Sequence, residues 1–99
     1  MRKPSHPGEI LYDGFIEPNN IKIKDLAEHL GFSREMLSRV INAKTPMTAN
    51  LALALEDAGI STARLWLSLQ TNYDVWQLKQ KRTVPLVKRF EFGQVVYNS

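Results

Sequence analysis

The stretch DLAEHLGFSREMLSRVIN, residues 25–42, decides the fold. Leu26, Ala27 and Leu30 give its first half one apolar helical face. Gly31 follows where a helix closes in a left-handed residue, a conformation that glycine adopts without a Cβ clash. Ser33 is placed to cap the next helix, its hydroxyl oxygen accepting from a free backbone N–H. Met36, Leu37, Val40 and Ile41 again share one face, which leaves Arg34, Glu35, Ser38, Arg39 and Asn42 on the other. Two short helices, a glycine turn and an exposed polar face on the second describe a helix-turn-helix. In that unit the second helix enters the DNA major groove. Arg34 and Arg39 suit guanine O6 and N7, Ser38 and Asn42 suit other base edges, and Glu35 suits cytosine N4. Lys44, Thr45 and Thr48, in the following loop and helix start, suit phosphate. A competing reading stays open, because any pair of short helices joined at a glycine leaves a solvated polar face. The Glu35 carboxylate also repels phosphate.

Working outward, residues 1–5 read as a flexible lead. Pro7 fits the first turn of a helix and Glu9 favours its positive end. Ile10, Leu11, Phe15 and Ile16 form its apolar stripe, Gly14 is expected to mark a close helix contact, and Pro18 ends it. Lys22 and Lys24 flank Ile23 at the uncapped start of the second helix. Beyond the loop at 43–47, Thr48 caps a fourth helix that buries Leu51, Ala52 and Leu55 and closes at Gly59. Ser61 or Thr62 caps a fifth, over residues 63–79. Its stripe of Leu65, Trp66, Leu69, Tyr73 and Trp76, with Leu78 as a further candidate, is too large for so small a core, so part of it is expected to face a second copy of the chain. Residues 86–92 alternate with a period of two and predict a strand that needs a partner edge. A disordered terminus is the other reading.

Whole-chain properties bound the function. The 99 residues suit one domain, residues 1–79, with a basic tail at 80–99. No cysteine is present, which removes disulfides, thiolate metal sites and cysteine nucleophiles. His6 and His29 have no third ligand at a recognisable spacing, so neither a metal nor a cofactor is expected. No phosphate-cradling glycine loop or nucleophile elbow appears, and the expectation is a non-enzyme. No leader, and no run near the roughly 18 apolar residues of a membrane span, is visible, so the chain reads as cytoplasmic and not membrane-bound. The net charge of +3 is mild, but five basic residues and no acid fall within 79–89, while residues 1–44 are nearly neutral.

Several segments carry a family resemblance: HPGEIL (6–11), DLAEHLGFSR (25–34), LSRVINAK (37–44), MTANLALALEDAG (47–59) and above all LWLSLQTNYDVWQLK (65–79). Together they resemble HigA-type antitoxins of the Xre/Cro-like helix-turn-helix superfamily. The resemblance implies an all-α, five-helix, Cro/lambda-repressor-like domain that forms a homodimer on double-stranded operator DNA. It implies repression of its own operon and neutralisation of a HigB-like, mRNA-cleaving toxin. By position, Ser33 heads the recognition helix, and Leu65, Trp66, Leu69, Tyr73 and Trp76 belong to the dimerisation scaffold. The chain departs from many Cro-like motifs at Ile23, where a phosphate-contacting glutamine is common, which leaves Lys22 or Lys24 for that contact. The tail beyond Arg82 has no counterpart in shorter members. Three alternatives stay open: a stand-alone Xre-type repressor without a toxin, an interaction module that has lost DNA binding, and an enzyme, which would require a pocket of converging polar residues.

Overall fold

The computed structural model describes residues 2–93, which form five helices and no strand. The first, α1, is Pro7–Leu11 and runs on without a break into a wider turn, Tyr12–Ile16. There the Glu17 N–H donates to the Tyr12 carbonyl, five residues back, at 2.8 Å. The others are α2 (Ile23–Leu30), α3 (Arg34–Ile41), α4 (Ala49–Asp57) and α5 (Ala63–Lys81).

Local chemistry sets these boundaries. Gly31 closes α2 at φ 81°, and the Phe32 N–H returns to the Ala27 carbonyl at 2.9 Å. Ser33, Thr48 and Thr62 each cap a helix, their hydroxyl oxygens accepting from Met36, Leu51 and Leu65 N–H groups at 3.1, 3.2 and 3.2 Å. Such a cap contributes about 1 kcal/mol. Of the two residues offered for α5, Thr62 is the cap, while Ser61 takes a left-handed φ of 60°. The start of α2 has no side-chain cap. α5 continues two residues past the expected Lys79.

The apolar faces meet in one core. Leu26 and Ala27 of α2, Leu37, Val40 and Ile41 of α3, and Leu51, Ala52 and Leu55 of α4 are buried there, with Leu11 and Ile16 above them. Trp66 completes it. Helical spacing and the family resemblance put Trp66 on a dimer face. Instead its ring is 1% exposed, lies edge-on to Phe15, and donates its Nε1 hydrogen to the Ile60 carbonyl at 2.8 Å. A side chain enclosed by its own domain has no surface left for a second copy.

Two further expectations are corrected. The close helix contact is not at Gly14, around which a Cβ would meet nothing within 4 Å. It is at Gly8, where a Cβ would overlap the Val40 carbonyl and lie 3.0 Å from the Ile41 Cα. The glycine therefore lets α1 lie directly on the α3 backbone. Among the described residues the alternating tail forms no strand, and residues 83–93 are exposed. The rest of that segment, 94–99, and Met1 of the N-terminal lead lie outside the described residues. No helix among the described residues is long and apolar enough to cross a membrane.

Candidate nucleic-acid interface

α3 is anchored from below and bare above. Leu37, Val40 and Ile41 fix its inner side, and Gly8 brings α1 against its second turn. Arg34, Glu35, Ser38, Arg39 and Asn42 then fall within an arc of about 140° at 100° per residue. Together with Lys44 they line one shallow concavity, three cations and one carboxylate. All but Ser38 are exposed, and Ser38 is half-buried.

Lys44 reaches this face because the chain doubles back after α3. Ala43 takes a left-handed φ of 59°, and the Lys44 N–H donates to the Arg39 carbonyl at 2.8 Å. Asn42 is partly engaged: its Nδ2 donates to the Ser38 carbonyl at 2.8 Å and contacts the Ser38 hydroxyl at 3.4 Å. Bidentate recognition of adenine by Asn42 would break that bond, whereas Arg34 and Arg39 are exposed on this face. Ser33 uses its oxygen as the cap but keeps a hydroxyl hydrogen to donate. The remaining phosphate candidates stand apart from the concavity. Lys22 and Lys24 are exposed at the head of α2, Thr48 is exposed at the head of α4, and Thr45 is half-buried in the loop between α3 and α4.

That loop is held from beneath by polar groups that sequence reading missed. Gln70 Oε1 accepts from the Met47 N–H at 2.7 Å, and its Nε2 donates to Asp74 at 2.8 Å. The available signal was a polar residue at core spacing between Trp66 and Tyr73. Gln70→Leu removes the acceptor and leaves a buried Met47 N–H unpaired. It should cost about 1–3 kcal/mol, read as a lower denaturation midpoint.

His6 is the second support. It is buried, caps α1 by accepting from the Gly8 N–H at Nδ1 (2.9 Å), and stands edge-on to Tyr73 with ring centroids 5.0 Å apart. Burial pushes its imidazole below the usual value of 6.5, opposed by the Glu9 and Asp74 carboxylates and a hydrogen bond to the Thr45 backbone. Because Nδ1 accepts, the native ring is neutral. Folding excludes a proton that the unfolded chain binds, so this contribution is full above about pH 6.5 and declines as pH falls below it. Denaturation midpoints measured across that range should fall on the acid side. His6→Asn, a cap that does not titrate, should flatten the decline.

The rest of the aromatic stripe divides. Tyr73 is occupied by His6, and the Lys3 ammonium lies 6.0 and 5.8 Å from the Tyr73 and Trp76 ring centroids. Trp76 Nε1 is buried without a hydrogen-bond partner among the described residues. Leu65 is 46% exposed and Leu69 half-buried. Among the described residues no group of three or more His, Cys, Asp or Glu side chains could hold a metal ion.

No family model matches the chain. It is 38% identical over 81 residues to an uncharacterized HTH-type transcriptional regulator of Haemophilus influenzae, covering 82% of this chain and 76% of that protein. It is 36% identical over 80 residues to antitoxin HigA-1 of Vibrio cholerae, covering 81% and 75%. Among solved structures, that of Pseudomonas aeruginosa antitoxin HigA with the higBA promoter superposes with a TM-score of 0.73 at 28% identity, covering 85% of this chain and 99% of that one.

Proposed function

The chain belongs to the HigA-type antitoxins of the Xre/Cro-like helix-turn-helix superfamily, and from that membership we propose that it is the antitoxin and autorepressor of a toxin–antitoxin operon. As a homodimer it lays two α3 helices into successive major grooves of its operator. It also binds and neutralises a HigB-like, mRNA-cleaving toxin. The observation that carries the DNA reading is the bare, cation-rich face of α3, with Arg34, Ser38, Arg39 and Lys44 gathered around one concavity.

The size of that face supports the pairing of two copies. An eight-residue helix meets only a few base pairs. Two copies about 34–36 Å apart read a palindrome and double the contacts. The proposed dimer contact is the Leu65–Leu69–Trp76 side of α5, with Trp66 and Tyr73 supporting it from within their own chain. Phosphate contacts are assigned to Lys22, Lys24, Ser33, Lys44, Thr45 and Thr48, and base contacts to Arg34, Glu35, Ser38, Arg39 and Asn42.

Co-expression with the product of the adjacent gene tests the antitoxin half. The pair should co-purify, and mRNA cleavage by that product should cease in the complex. If the two separate on purification while the chain still binds DNA upstream of its own gene, the stand-alone repressor is the correct reading.

A further inference from the structure

The second half of α5 leaves its outer side unused. Trp66, Gln70 and Tyr73 turn one side of the helix inward, while Val75, Leu78 and Arg82 recur at three and four residues on the opposite side. Val75 is 44% exposed and Leu78 64%. With Leu86 of the following segment they floor a groove rimmed by Lys79, Lys81 and Arg82. Between Asp74 and Glu91 the chain has five basic residues and no acid. The groove shares no residue with the α3 face.

We propose that this groove docks an acidic polypeptide segment with apolar anchors, supplied by a partner protein. Charge complementarity selects the occupant. A second copy seated tail against tail would set five cations against five. A nucleic-acid backbone would match the rim but leave Val75, Leu78 and Leu86 against phosphate and water, with no gain from burying them. A segment carrying carboxylates beside leucine-like side chains satisfies rim and floor together, in the manner of an amphipathic helix laid in a groove.

Fluorescence anisotropy on the full chain tests the proposal. The probe is a labelled synthetic peptide with glutamates on one helical face and leucines on the other. A scrambled peptide of the same composition, phosphatidylserine vesicles and a labelled DNA duplex serve as comparisons. The amphipathic peptide should bind saturably, and about tenfold or more tighter than the scrambled one. Leu78→Glu, and separately the combined Lys79→Gln, Lys81→Gln and Arg82→Gln variant, should each weaken it about tenfold or more. Leu78 is exposed, so circular dichroism of Leu78→Glu should match the parent chain. Absent or equal binding of the two peptides, or binding indifferent to Leu78→Glu, would overturn the proposal. So would a Leu78→Glu-sensitive transfer to the vesicles or the duplex instead of the peptide.

Discussion

Gly8→Ala should destabilise the domain by about 3 kcal/mol or more, the upper end of what overpacking costs. The added methyl would overlap the Val40 carbonyl and touch the Ile41 Cα, so backbone would have to move against backbone. No rotamer change relieves such a clash. A domain of this size is stable by about 5–15 kcal/mol, so the loss is a large share of the total. It also displaces the helix that carries the α3 polar face, and DNA binding should weaken along with stability. Gly14→Ala is the control: it has free space in a helical turn and should be neutral or stabilising by about 0.5–1 kcal/mol. Chemical denaturation of the two variants should separate them by several kcal/mol. Equal midpoints would show that α1 and α3 do not approach as closely as the structure has them.

Arg39→Ala should reduce discrimination between operator and unrelated DNA by about 2–6 kcal/mol. One bidentate arginine–guanine contact is worth about 1–3 kcal/mol of discrimination, and a homodimer loses it in both half-sites. If Arg39 reads a base, the effect should appear as weaker operator binding with little change on scrambled DNA; Arg39 is exposed on the polar face of α3 and lines its concavity. Lys22→Ala should behave differently, weakening all sequences to a similar degree and lowering the salt slope by about one. Titrations of both variants against both duplexes distinguish these patterns. If Arg39→Ala weakens operator and scrambled DNA alike, Arg39 is a phosphate contact.

What the sequence could disclose follows the range of the interactions involved. Gly31, Ser33, Thr48 and Gly59 act within one turn of chain, so the helix boundaries and the polar face of α3 were legible from spacing alone. Gly8, His6 and Gln70 act across the fold. Gly8 matters because of Val40, His6 because of Tyr73, and Gln70 because of Met47. Nothing adjacent to these residues in sequence announces such partners. Trp66 shows the same limit from the apolar side. Its spacing placed it on a stripe with Leu65, Leu69 and Trp76, but periodicity does not say which member of a wide stripe points inward. The alternating tail shows another limit, since a period of two is a pattern of side chains and does not by itself supply the ladder hydrogen bonds of a strand.

Competition binding decides whether α3 reads base edges. A labelled duplex from upstream of the chain's own gene is held at fixed ionic strength, because affinity for DNA falls steeply with salt. Unlabelled duplexes, native or scrambled, then compete for the protein. The native duplex should compete at least about a thousandfold better than the scrambled one, within the usual range for specific recognition. Equal competition by the two would contradict base reading and leave the α3 face as a solvated surface.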